Sequence, residues 1–134
     1  MSHELGHIED DDRAGSTFRR RVATFEAAIY IGGDPVRAEQ LCRAWVDRHP
    51  RCVTVEPVRF VYTGGQEDGV RVKLINYPRF PATPQEIWSA ARALGLHLLA
   101  ELAQQSFSIV ATDATEWFSR RPEDLPTPQP NLTG

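Results

Sequence analysis

The segment TFEAAIYIGGDP, residues 24–35, decides how the rest of this 134-residue chain is read. Phe25, Ala27, Ile29 and Ile31 fall on one face, and Glu26, Ala28 and Tyr30 on the other. A period of two predicts a strand with one buried face. Gly32 and Gly33 break it, and Asp34-Pro35 supplies an N-cap and a first-turn proline for a helix. Along that helix Ala38, Leu41, Cys42 and Trp45 recur at i, i+3, i+4 and i+7, the spacing of one buried stripe, and Pro50 bounds it.

Working outward, CVTVEPVRFVYT (52–63) reads as a second strand. Its apolar parity switches at Glu56-Pro57, from Val53 and Val55 to Val58, Phe60 and Tyr62, which predicts a bulge. Proline cannot donate to a ladder, so this strand belongs at a sheet edge. GGQEDG (64–69) reads as a six-residue turn into a third strand, where Val70, Val72 and Leu74 alternate with Arg71 and Lys73. Thr83, Pro84 and Glu86 then form a capping box, and Ile87, Ala91, Leu94, Leu98 and Leu102 form the stripe of a second helix. SFSIVAT (106–112) is a fourth strand, and Asp113–Glu116 reads as the cap of a short last turn bearing Trp117 and Phe118.

The order strand, helix, strand, strand, helix, strand predicts a ferredoxin-like α+β sandwich. Its four-stranded antiparallel sheet has spatial order 4-1-3-2, with both helices on one face. That order puts the second strand at the edge, where Pro57 independently requires it. The domain is expected over residues 24–121. Residues 1–23, with an acidic run at Glu9–Asp12 and a basic run at Arg19–Arg21, read as a disordered charged tail; residues 122–134 read as a proline-rich one.

With 41% hydrophobic and 25% charged residues, the composition is that of an ordinary globular domain. A net charge of −3 gives no electrostatic case for nucleic acid. No apolar run approaches the roughly 20 residues of a membrane span, and the N-terminus lacks the pattern of a signal peptide. The expected setting is cytoplasmic, with Cys42 and Cys52 as free thiols whose pairing the sequence leaves open.

His3-Glu4-Leu5-Gly6-His7 matches the HExxH zinc signature. Such a motif works on a packed helix with a third ligand held opposite. Here it contains a glycine and precedes an acidic run, so His3 and His7 stand as weak metal candidates and no cofactor is expected. Gly32-Gly33-Asp34 resembles a phosphate turn but lacks the lysine or third glycine, and Asp34 would repel the anion. Cys42 reads as a core residue, and His97 as a flank residue offered an ion pair by Glu101.

The stretch NYPRFPATPQEIW (76–88) gathers Tyr77, Arg79, Phe80 and Trp88 on a loop stiffened by Pro78, Pro81 and Pro84. These residue types are enriched at binding hot spots, and prolines lower the entropy of fixing them. Tyr30 joins them as a candidate on the open sheet face. The leading expectation is a non-enzymatic module that binds a protein partner or forms a homodimer through that face or the sheet edges. The alternative is a small-molecule-binding or enzymatic domain using the open face or the Tyr77–Arg79 loop. RNA and a zinc site rank behind both.

Overall fold

The computed structural model describes residues 15–126 and the backbone of residues 9–10. A two-stranded ladder pairs β1 (Glu9–Asp10) with β2 (Arg20–Arg21). Then follow β3 (Glu26–Gly32), α1 (Pro35–Arg48), β4 (Thr54–Tyr62), β5 (Gly65–Ile75), α2 (Pro84–Glu101), β6 (Ser106–Ala111) and β7 (Thr115–Ser119). The last five strands form one sheet in the order β4-β5-β3-β6-β7, with every neighbouring pair antiparallel.

Alternation in the central strands places Ile29 and Ile31 beside Val70, Val72 and Ile109 on the face that both helices cover. Ala38, Leu41, Cys42 and Trp45 of α1 and Ile87, Leu94 and Leu98 of α2 complete one continuous core. Both helix starts follow from their side chains. The Asp34 carboxylate accepts from Val36 N at 3.1 Å, and Thr83 and Glu86 exchange bonds in a complete capping box. Gly95 lets α2 lie close on β6, because a Cβ there would overlap the Phe107 ring.

Three expectations are corrected. The sheet has five strands rather than four, since Trp117 and Phe118 lie in β7 and not in a terminal turn. A tight turn closed by Ala111 N donating to Ala114 O at 2.9 Å folds β7 back, and Phe118 stacks on Phe107 with ring centroids 4.6 Å apart. No bulge interrupts β4: its register against β5 runs unbroken from Thr54↔Lys73 to Tyr62↔Gly65. The parity switch at Pro57 records a change of apolar face. Val55 pairs with core-facing Val72, whereas Phe60 lies over Gly69 on the opposite face. The hairpin turn is Thr63-Gly64 alone, with Gly64 at φ +85°, and Gln66, Glu67 and Asp68 belong to β5.

Pro57 lies on the β4 edge of the sheet, where β5 is its strand's neighbour. Of the expected tails, residues 1–8, 11–14 and 127–134 lie outside the described residues, and so do His3 and His7. Within the described part of the first tail, Arg20 Nη1 donates to Pro78 O at 3.4 Å. Residues Pro122–Asp124 form one 3-10 turn, where Ser119 Oγ donates to Asp124 Oδ2 at 2.6 Å. Among the described residues no helix is long and apolar enough to cross a membrane.

Candidate functional site

The loop between β5 and α2 is built around Asn76, the buried polar side chain of the core region. Its Nδ2 donates to Ala23 O at 2.7 Å and its Oδ1 accepts from Ala82 N at 2.9 Å. One amide therefore ties the loop's exit to its entrance and to the chain before β3. Between these anchors Phe80 N donates to Tyr77 O at 2.8 Å, closing a turn with Pro78 and Arg79 at its centre. The turn sets the Tyr77 and Phe80 rings side by side, centroids 6.2 Å apart, with the Arg79 guanidinium 5.4 Å from the Phe80 ring centre. Tyr77 is 40% and Phe80 69% exposed, so these rings do not fill the space under the loop.

They line a cleft of about 570 Å³ with Arg51, Cys52, Ile75 and Glu86. That volume lies within the usual range for small-molecule sites. A shallower groove of about 960 Å³ continues from it between the C-terminal end of α1 and the start of α2, sharing Pro50, Arg51 and Glu86. Glu86 is held at this junction by the capping box, with Thr83 N donating to its Oε1 at 2.8 Å. In that groove His49 stacks on Trp45 at 4.3 Å, its Nδ1 lying 3.0 Å from Trp45 O.

The structure thus brings Tyr77, Arg79 and Phe80 to one cavity and leaves Trp88 and Tyr30 outside it. Trp88 is buried on α2, donates from Nε1 to Asp113 Oδ1 at 3.1 Å, and carries the Arg92 guanidinium 4.8 Å over its ring. It belongs to the contact between α2 and the β6–β7 turn. Tyr30 lies on the open face of the central strand beside Arg71. That face mixes ion pairs with exposed apolar side chains: Arg71 Nε donates to Glu56 at 2.8 Å and Lys73 pairs with Glu26 at 3.2 Å, while Val110 and Trp117 stay exposed on the same parity. Ala28 between them is buried.

Sequence reasoning missed Arg51, Asn76 and the second role of Glu86. Arg51 follows Pro50 in a connection with no periodicity, and Glu86 was already accounted for as a cap. Cys42 is buried on α1, and desolvation, with Glu39 nearby adding to it, pushes its thiol up to about 11. It stays protonated near neutrality and is no nucleophile. Cys52 is exposed and free. Glu101, offered to His97, lies 3.8 Å from Arg37 instead. No group of three or more His, Cys, Asp or Glu side chains positioned to hold a metal occurs among the described residues.

A second cluster lies at the far end of β3. Gly32 leaves room for two side-chain oxygens: a Cβ there would stand 2.7 Å from Glu67 Oε2 and 2.9 Å from Gln104 Oε1. Glu67 and Gly32 share the parity of the open face.

No protein-family model matches the chain, and no curated protein resembles it in sequence. Its fold resembles two solved structures of phage enzymes. One is a phage SAM lyase in its apo state, with a TM-score of 0.60 at 19% identity, covering 71% of this chain and 88% of that one. The other is a phage SAM lyase in complex with S-methyl-5'-thioadenosine, with a TM-score of 0.56 at 17% identity, covering 72% and 89%. This likeness corrects the leading expectation of a non-enzymatic module that binds a protein partner or a second copy of itself. Both neighbours bear the name of an enzyme and one holds a small molecule, which favours the alternative reading. Composition and patterning could not make that choice, because a folded domain's surface statistics do not distinguish a partner from a ligand.

Proposed function

We propose that this chain is a small-molecule-binding enzyme domain that splits an adenosylated sulfonium such as S-adenosylmethionine. We read its strand-helix-strand-strand-helix-strand core as ferredoxin-like, with β7 added at the β6 edge. The observation that carries the functional reading is the cleft of about 570 Å³ walled by Tyr77, Arg79 and Phe80. The fold likeness to structures named for SAM lyase supports the chemistry. Aromatic faces accept a purine by stacking and a sulfonium by cation–π attraction.

S-methyl-5'-thioadenosine differs from S-adenosylmethionine by the carbon–sulfur bond to the amino-acid chain. When that bond breaks, its electron pair leaves with sulfur as a neutral thioether. The chain's carbon is satisfied from within the substrate: its carboxylate closes onto that carbon, or a neighbouring proton passes to a base such as water while the C–H pair forms a double bond. The sulfonium is its own leaving group, so the protein's task is to bind, orient and exclude water.

Incubation with S-adenosylmethionine should release S-methyl-5'-thioadenosine, followed by chromatography. Tyr77→Ala should lower the rate at least about tenfold, the scale of losing one aromatic contact of some 1.4 kcal/mol, with the melting point unchanged. Absence of both turnover and binding of either compound sinks the proposal. The Glu67–Gln104 cluster supports a second location at the end of the open face, where a carboxylate suits a sulfonium. Glu67→Gln abolishing turnover while Tyr77→Ala leaves it intact would move the site there.

A further inference from the structure

Six arginines of the described chain, Arg37, Arg43, Arg59, Arg71, Arg92 and Arg121, have a carboxylate within ion-pair distance. Arg51 and Arg79 have none among the described residues, and both line the same cleft. Arg51 is half-buried rather than fully solvated, and it stands where the cleft meets the groove along α1 and α2. Leaving a guanidinium partly desolvated without an acceptor is unfavourable, and its planar fork matches a carboxylate with two parallel hydrogen bonds. Glu86 lines the same junction, forms no ion pair with either arginine, and is immobilised through its Oε1 by the capping box. Two cationic forks and one fixed carboxylate around one cavity are complementary to an α-amino acid, whose carboxylate and ammonium are both borne by one carbon.

We infer that Arg51, with Arg79, holds the carboxylate of the ligand's amino-acid chain and that Glu86 holds its ammonium, so that the cleft selects adenosyl thioethers and sulfoniums bearing a complete amino-acid head. This inference rests on the adenosyl reading above and adds to it the group that distinguishes substrate from product. The aromatic pair takes the nucleoside end, and the charged junction takes the end that departs. A site built this way grips the substrate at both ends and keeps only one of them after cleavage, which favours release of the thioether product.

The test uses two unreactive thioethers that differ in that head group: S-adenosyl-L-homocysteine, which has it, and S-methyl-5'-thioadenosine, which lacks it. Calorimetric titration of the full chain should give tighter binding of the homocysteine compound. Arg51→Ala should weaken that compound about tenfold or more, the scale of a lost charge-assisted bond, and leave the methyl compound within about twofold. Glu86→Gln, which preserves the cap's acceptor, should produce the same selective loss. Arg51→Lys should recover part of it, since it restores the charge without the fork; this variant also covers the case where the alanine change impairs folding. Methylthioadenosine binding with no preference for the homocysteine compound, or an Arg51→Ala effect equal on both ligands, overturns this inference while the adenosyl reading survives. Binding of neither ligand to the unaltered protein overturns both.

Discussion

Replacing Asn76 by alanine would strand two backbone groups at once, Ala23 C=O and Ala82 N–H. A buried group left unpaired costs about 1–3 kcal/mol, so Asn76→Ala should lower the unfolding midpoint in urea and also loosen the Tyr77–Phe80 turn. Asn76→Asp separates these effects. It keeps the acceptor for Ala82 N but sets a carboxylate oxygen against Ala23 O, so it should destabilise through that contact alone. An alanine variant as stable as the parent would show that water takes over both bonds. At this scale the sequence was partly legible. Tyr77, Arg79 and Phe80 could be singled out because aromatic and arginine side chains between prolines are unusual in a solvated loop. Asn76 looked like any turn residue, since its importance lies in contacts 53 and 6 residues away.

One level up, α2 is strapped to the β6–β7 hairpin by side chains that no local pattern relates. Arg92 clasps Glu116 with both ends of its fork, Nε to Oε1 at 2.8 Å and Nη2 to Oε2 at 2.7 Å. The hydrogen bond from Arg92 holds the Glu116 carboxyl below the ordinary carboxylate range. A carboxyl whose folded pKa is depressed contributes stability that is fully present above its unfolded value, about 4.3, and that is lost as pH falls through the folded value. Glu116→Gln should therefore destabilise the protein at pH 7, and the gap between variant and parent should close as acid is added below about pH 4. Urea midpoints measured across that range check it; a gap constant with pH would mean that the amide substitutes fully or the pair is inert. Both long helices and the four principal strands were legible because each carries its own period and its own caps. Strand β7 was not. Asp113–Glu116 looks like a helix cap, and only the pairing of Thr115–Ser119 with Ser106–Val110 makes that stretch a strand.

Over the whole molecule, the cleft and the groove meet where the α1–β4 connection comes near the β5–α2 loop, and the ion pairs Arg71–Glu56 and Lys73–Glu26 lie on the open face of the sheet. The expected strand succession matches the structure from β3 to β6, but the function was not legible, because surface composition alone could not separate a ligand cleft from a partner's footprint. Pro57 acquires a further meaning at this scale. Strand β4 is nine residues long, lies at the sheet's edge, and is rich in valine and aromatics. Such an edge invites added strands, and a proline within it interrupts their hydrogen bonding. Pro57→Val would leave the uninterrupted run Val53 to Tyr62, the profile of a cross-β segment. Held at high concentration, that variant should scatter light and bind thioflavin T well before the parent does, even if it melts no lower; equal lag times would show that the edge is guarded elsewhere. The residue that marks the border of the sheet would then also set how concentrated this protein can become before it stops being a solution.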